Sequence, residues 1–390
     1  MNSRLVGDLF LGIAAIPFIY YSLALFSSWR FFHQAPERTP PDADFTPPVS
    51  NLKPVRGLDP GAYENFASFC RQDYPDYELI FCVGDKEDEA VPLLEKLARE
   101  FPQRSIRIIY SGNHTAVNDK VAKLGLLVEA ARHEVLVIND ADVRVRPDYL
   151  RSVVAPLRDP KVGGVTCLYV SVQDQTFLQS LQSMAMICDF YPGILVDWQL
   201  EGTKFSLGQT TVTTRARIAG FGGYKVLENR PADDLLVGRF IGEQGYKVEL
   251  LNYAVQTVPD FQSGHELLLK RLRWMTVMRH MRPWGHIGLL FTFGQPWSLI
   301  ALAIRPTATI AAAYLGGYLA FRVALTWLIG AHGLKQRDLW KKLPLIPIWD
   351  AFAFFVWIAS FTRRTIRWGG VDFWLKKGTL VPVVKQDRSR

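Results

Sequence analysis

The stretch HEVLVINDADVRVRP, residues 133–147, decides how this chain folds. Val135, Leu136, Val137 and Ile138 make a short apolar, β-branched run, which reads as a strand covered on both faces, as in a parallel sheet. The run stops abruptly at Asn139-Asp140-Ala141-Asp142. Ligands of open α/β sheets gather outside the carboxyl ends of the strands, so two carboxylates at such an end mark a candidate site. A slight break in the pleat turns both toward one point. Hard oxygen ligands of this kind suit Mg²⁺ or Mn²⁺, ions that complete their shells with phosphate oxygens. The plain alternative is a strand-to-loop turn with solvated acids.

Outward from this stretch, residues 51 to about 258 alternate short apolar strands with helical segments, the pattern of an α/β domain. Strands are expected at 77–83, 106–110, 135–138 and 164–170. The first of them, in ELIFCVGD, also ends in an acid, Asp85, at the same sheet edge; an ordinary loop carboxylate is its bland reading. In RPADDLLVGR (230–239), Leu235, Leu236 and Phe240 follow helical spacing. Asp233 and Asp234 therefore fall at the helix start, where the dipole favours negative charge. Capping accounts for one such Asp but not for two adjacent ones. In KRLRW (270–274), Lys270, Arg273 and Trp274 stand at i, i+3 and i+4 on one helix face. That face could hold a diphosphate and stack on a sugar or acceptor; a basic interfacial helix is the alternative.

The 390 residues allow one large domain or two, and 49% of them are hydrophobic, with 11 Trp and 24 Phe. That is rich for a soluble enzyme and poor for a polytopic transporter, so a soluble domain with a few membrane segments is expected. Residues 9–26 form 18 positions without a charge, ahead of Arg30 and a Pro-rich linker. They read as an uncleaved anchor rather than a signal peptide. The net charge of +8 is concentrated near the C-terminus beside apolar segments and comes without a recognisable nucleic-acid module, which favours a membrane surface over nucleic acid. Four cysteines without metal-ligand spacing read as buried thiols of a reducing compartment.

The apolar segments beyond Trp284 cover 285–304, 307–321 and 344–362. The basic residues between and after them should be cytoplasmic. An anchor that places the α/β domain and the tail on one side requires an even number of later spans. One of the three segments is therefore expected to lie in the interface: 285–304, with Gln295-Pro296 in its middle, or 344–362, broken by Asp350.

The ordered set Asp85, Asp140-Ala141-Asp142, Asp233-Asp234 and Lys270-x-x-Arg273-Trp274 resembles the inverting, family-2-like glycosyltransferases of GT-A fold. It is most similar to the ceramide glucosyltransferases (family 21) and the bacterial hopanoid-biosynthesis glycosyltransferases near them. The resemblance runs over residues 53–283. Val55-Arg56-Gly57 matches the end of the first strand, where the family's nucleotide pocket begins. Val117-Asn118-Asp119-Lys120 resembles its Asn-x-Lys stretch, and Gly208-Gln209-Thr210 and Gly220-Phe221-Gly222-Gly223 resemble its acceptor-side strand and the turn before the third acid. Lys270 departs from the usual Gln or Arg, which keeps the charge and loses bidentate geometry.

The resemblance implies a GT-A α/β domain at 51–283, an anchor at 1–30, a linker at 31–50, membrane segments at 284–362 and a basic cytoplasmic tail at 363–390. It implies a UDP-sugar donor, glucose favoured, and a lipid hydroxyl acceptor in the bilayer, ceramide favoured, joined in a β-linkage. Asp234 would be the base. Val55, Arg56, Gly57, Asp85, Lys120 and Asp140 would bind the donor, with Asp85 on the uridine or ribose. Asp140 and Asp142 would hold Mg²⁺ or Mn²⁺, and Asp233, Lys270, Arg273 and Trp274 would serve the diphosphate and acceptor side. The catalytic domain would be cytoplasmic, at the inner membrane in a bacterium. Transfer of N-acetylglucosamine to a hopanoid is the nearest alternative. A processive polysaccharide synthase would carry more spans, and a non-catalytic scaffold would lack one of the stations.

Overall fold

The computed structural model describes residues 3–34, 45–112, 114, 116–172, 176–258, 263–368, 371–376 and 378–383. Most of the Pro-rich linker (35–44) and the end of the basic tail (377 and 384–390) lie outside the described residues. The central element is an eight-stranded mixed sheet of β1 (Val49–Pro54), β2 (Tyr77–Val83), β3 (Ser105–Tyr110), β4 (Val135–Ile138), β5 (Val143–Arg144), β6 (Val162–Ser171), β7 (Thr211–Thr214) and β8 (Lys247–Thr257). Their spatial order is β3-β2-β1-β4-β7-β6-β8-β5. β3, β2, β1 and β4 run parallel, with Val49 opposite both Tyr77 and Val135. β7 is antiparallel to β4 and β6, and β5 is antiparallel to β8.

The strands expected from sequence are all present; β2 and β4 are buried along their whole length, whereas β3, at the sheet edge, is partly exposed. On β2, Leu79, Phe81 and Val83 pack into one core layer while Ile80 and Cys82 face the other. The second layer is completed by Val121, Leu124 and Leu127 of the helix Asp119–Ala130. Each fully buried side chain of this size contributes about 1.5–3 kcal/mol. Charge is also folded into the sheet. Glu78 is 1% exposed and accepts hydrogen bonds from Ser50 Oγ (2.7 Å), the Arg132 amide (2.7 Å) and Arg107 Nη1 (3.2 Å). Burial alone would raise its pKa, and these donors outweigh that and lower it.

Among the described residues, three helices are long and apolar enough to cross a membrane: Arg4–Gln34, Ala308–Gly333 and Leu343–Ser360. The remaining apolar segment is a pair, Pro283–Thr292 and Gly294–Ile304, bent by 52°. The bend has a physical partner in the first helix: the Tyr21 hydroxyl donates to Thr292 O and accepts from the Gly294 amide, both at 2.9 Å. A broken helix in an apolar setting needs such a side chain to satisfy the freed backbone groups. The spans also carry charge. Arg322 binds Asp350 through Nε (2.9 Å) and Nη2 and reaches into the α/β domain to Cys188 O (2.6 Å) and Asp189 Oδ1 (3.2 Å). The segment from Arg363 onward, expected as a basic tail, forms a three-stranded antiparallel meander of β9 (Thr365–Trp368), β10 (Val371–Lys376) and β11 (Thr379–Pro382).

Candidate active site

The site begins where β4 ends. Asn139 is fully buried and ties that end down: its Nδ2 donates to Tyr149 Oη and Gln209 O, each at 2.7 Å, and its Oδ1 accepts from Asn51 at 2.8 Å. The chain then turns at Ala141-Asp142 and leaves as β5 to pair with the end of β8. Asp140 and Asp142 therefore project from a turn that crosses the sheet edge, held at both ends by strand pairing.

Lys120 lies in the first turn of the helix Asp119–Ala130, whose N-cap, Asn118, accepts from the Val121 amide. Its ammonium bridges two of the acidic segments, at 2.8 Å from Asp140 Oδ1 and 3.3 Å from Asp233 Oδ2. Asp234 closes the group from the start of the helix Asp233–Glu243; Ser206 Oγ donates to its backbone carbonyl (2.6 Å) and the Leu235 amide to its Oδ1 (2.9 Å). Gly208 measures how tightly these meet. A Cβ built there would lie 3.0 Å from Asp140 Oδ2, 3.1 Å from Asp234 Oδ2 and 3.5 Å from Lys120 Nζ.

Burial, with Asp233 beside it, pushes the Asp234 carboxyl up to about 6, while Lys120 and the Leu235 amide pull the other way. Burial likewise raises Asp142 to about 7, reinforced by Asp140 and Asp59 and opposed by Lys270 and Lys53. Burial would lower Lys120, but Asp140, Asp233 and Asp234 reverse the effect and hold it above its ordinary value. Lys270 and Arg273 are half-buried on the helix Gly264–Met281, and desolvation lowers both. Trp274, on the same face, lies 5.8 Å below Lys270 Nζ.

The turn after β1 is looser. Val55 is buried, and its carbonyl accepts from Lys123 Nζ (2.9 Å), whereas Arg56 is exposed. The Gly57 amide donates to Asp88 (3.1 Å), and φ of 64° explains a glycine there. Asp85 is exposed and accepts from the amide of Glu87, so the β1 turn is tied to the β2 loop through Asp88.

Sequence reading missed Lys53. This side chain is fully buried, donates to Asp140 O (3.1 Å) and lies 3.6 Å over the Phe69 ring. Burial lowers it to about 7 against the pull of Asp142 and Asp140. Its only sequence signal is a lysine inside the strand VSNLKP. Arg271 was missed as well: it donates to Gln182 Oε1 (2.6 Å) and stacks on Trp274 and Trp349 at 5.0 and 4.8 Å.

Among the described residues no three His, Cys, Asp or Glu side chains are grouped to hold a metal ion. Asp140 and Asp142 nonetheless fit one that takes its other ligands from phosphate and water. Asp142 Oδ1 is buried without a hydrogen-bond partner, an acceptor left for a cation.

The profile of the family described as Glycosyl transferase family 21 matches residues 9–381. Ceramide glucosyltransferase 1 of Caenorhabditis elegans is 22% identical over 402 residues, covering 96% of this chain and 80% of that protein. Ceramide glucosyltransferase 3 of the same organism is 24% identical over 388 residues, covering 93% and 79%. Among solved structures, the mannosyltransferase PcManGT from Pyrobaculum calidifontis, in complex with GDP-Man and Mn²⁺, superposes with a TM-score of 0.54 at 20% identity, over 90% of this chain and 99% of that one.

Gly208→Ala tests the convergence directly. The added methyl must displace Asp140, Asp234 or Lys120 while the sheet stays as it is. Turnover should fall by about tenfold to a hundredfold with the thermal unfolding midpoint unchanged; native turnover would mean that these side chains do not act from these positions.

Proposed function

The chain belongs to glycosyl transferase family 21, and from that membership we propose a membrane-bound inverting enzyme that moves glucose from UDP-glucose to the primary hydroxyl of ceramide. The observation that carries the reading is the meeting of Asp140, Asp234 and Lys120 above Gly208: a charge partner for a leaving diphosphate stands beside a carboxylate able to take a proton. The glucose and ceramide parts lean on the C. elegans relatives' names and on the order of the motifs.

In this reading Asp234 takes the proton of the attacking hydroxyl. Its carboxyl, raised to about 6, is ionised at neutral pH yet basic enough to accept a proton as the bond forms. Asp233 stays paired with Lys120 and keeps the ammonium aimed at the departing diphosphate. Lys120 and Arg273, with Lys270, balance the charge that develops on the leaving group in a site largely shut off from water. Asp140 and Asp142 would hold a divalent ion, Mg²⁺ or Mn²⁺, which would act as a Lewis acid on the diphosphate. With a single base and direct displacement, an α-linked donor gives a β-linked product.

Nucleotide sugars are cytosolic, and the four unpaired, buried cysteines suit that compartment. We read Arg4–Gln34, Ala308–Gly333 and Leu343–Ser360 as crossing the bilayer and the bent pair as lying in the interface, which leaves the even number of later spans that a cytoplasmic C-terminus needs. Trp284, 83% exposed at the start of that pair, is an interfacial anchor in this arrangement.

The assay that decides donor and acceptor gives the membrane-bound enzyme UDP-glucose or UDP-N-acetylglucosamine with ceramide or a polyhydroxylated hopanoid, and identifies glycolipids by mass spectrometry. Hexosyl-ceramide is expected; an N-acetylhexosaminyl-hopanoid would transfer the reading to that pair. Asp234→Asn keeps the shape and loses the base, so turnover should drop about a hundredfold or more with UDP-glucose affinity retained, and the native rate should rise with pH through about 6. Undiminished transfer by the Asn variant would remove Asp234 from this role. Asp142→Ala should abolish the gain in donor affinity that Mn²⁺ confers on the native enzyme; equal affinity gains in both would remove Asp142 from the metal site.

A further inference from the structure

We propose that the C-terminal meander is a positioning clamp for the turn that carries Asp233 and Asp234, acting through Arg230 and Ala232; this rests on the reading of Asp234 as base. The meander's apolar face, Ile366, Phe373, Leu375 and Leu380, packs against Val117 and Val277. Val117 immediately precedes Asn118, the cap of the helix bearing Lys120, and Val277 lies one turn beyond Arg273 and Trp274. The Leu380 amide donates to Asn229 O (2.8 Å) and Arg230 Nη1 to Gly378 O (3.4 Å). Arg279 Nη2 reaches Arg363 O (2.6 Å). The C-terminal segment thus touches three of the segments that bring charge to the site: those of Lys120, of Asp233 and Asp234, and of Lys270 and Arg273.

The Asp233-Asp234 turn needs such support. Ala232 precedes it in the left-handed region at φ 57°, one of only two non-glycine residues with positive φ among the described residues. A conformation of this kind persists only where its surroundings over-determine it. The surroundings do so here: Asn118 Nδ2 donates to Arg230 O (3.3 Å), the Asn118 amide to Glu228 O (3.1 Å), and the meander holds Asn229 and Arg230 from the other side. The approach is close enough to require glycine at 378, where φ is 73° and a Cβ would stand 3.3 Å from Arg230 Nη1. The meander has a small apolar face, covered by Val117 and Val277 of the domain. Its order depends on the domain it grips, so the docked meander and the left-handed turn stabilise each other. Released from it, Ala232 can return to right-handed geometry, and the first helical turn with both carboxylates rotates away from Lys120.

The test uses the full chain in phosphatidylcholine vesicles containing ceramide, with UDP-glucose. Leu380→Pro removes the amide that binds Asn229, Gly378→Val pushes on Arg230 with every backbone N–H left in place, and Ala232→Gly lets the turn hold its left-handed geometry without outside support. Leu380→Pro and Gly378→Val should each speed hydrogen exchange at residues 229–235 while the main sheet stays protected, and each should lower turnover about tenfold to a hundredfold with donor affinity nearly unchanged. Adding Ala232→Gly to Leu380→Pro should recover part of the lost turnover, because glycine adopts the left-handed conformation without the clamp. Native exchange at 229–235 in Gly378→Val overturns the clamp, and so does a loss of protection spread through the main sheet. If the native chain makes no product, the donor and acceptor reading falls and the exchange data still decide the clamp.

Discussion

Like-charge repulsion in a half-buried pocket is the constraint on which the rest of this structure depends. Asp140, Asp142, Asp233 and Asp234 meet at one sheet edge, with Asp59 close enough to raise Asp142. In an environment poorer than water such a group scatters or takes up protons unless cations are built in. Lys120 supplies one from a helix start, between Asp140 and Asp233. Lys53 supplies another from inside β1, where no solvent competes and the Phe69 ring lies beneath it. The sheet therefore serves as more than a scaffold. Its parallel strands set β1 beside β4 in a register that brings Lys53 under the turn of Asp140.

The same need for compensated charge explains the joint between the domain and the apolar helices. Arg322 and Asp350 are 3% and 6% exposed, and a buried ion pair costs desolvation that its own attraction barely repays. Its value here is in placement. Arg322 also binds Asp189 and Cys188 O of the α/β domain, Tyr318 donates to Asp350 at 2.7 Å, and Trp349 donates its Nε1–H to Asp189. Arg271 stacks on Trp349, so this network ends one residue from Lys270 and two from Arg273. The basic helix of the site is thereby keyed to two apolar helices through directional contacts, which fix orientation where apolar packing alone permits sliding.

The sheet was legible in the sequence because strands covered on both faces must be continuously apolar, and acids that follow such runs have few places to go. β4 and its two carboxylates could be read from a single stretch for that reason. Lys53 could not: in VSNLKP the polar residues point inward as fully as the apolar ones, and periodicity carries no sign that a lysine is a buried counter-charge. Asp88 was hidden because Asp85 stands at the expected strand end, whereas the bond to Gly57 is made three residues later in the loop. The meander was masked by its composition. Val371, Phe373 and Leu375 alternate as a strand should, yet the surrounding lysines and arginines read as a tail on a membrane surface. Gln295-Pro296 marked 285–304 as one of two segments expected in the interface, but the bend itself, between Thr292 and Gly294, was not legible: its partner, the Tyr21 hydroxyl, lies on a helix about 270 positions away and is invisible to local pattern.

These supports divide the site into two kinds of wall. Lys53 stands on β1, and Asp140 and Asp142 on the turn between β4 and β5, a wall held by strand register and by buried side-chain hydrogen bonds. Lys270, Arg273 and Trp274 stand on a helix whose neighbours are apolar helices and the C-terminal meander. In the proposed function the donor's diphosphate is met from both sides, by Lys120 beside the strand-end wall and by Lys270 and Arg273 on the other, and the lipid acceptor arrives at the second wall, whose position answers to the bilayer. Asp234 sits at the seam, one residue beyond the buried Asp233 that Lys120 holds and two beyond the left-handed Ala232. As the proposed base it can be aligned by the acceptor side without disturbing the carboxylates of the strand-end turn. A soluble nucleotide and a membrane-bound alcohol, arriving from different phases, impose that separation on any single site that must serve both.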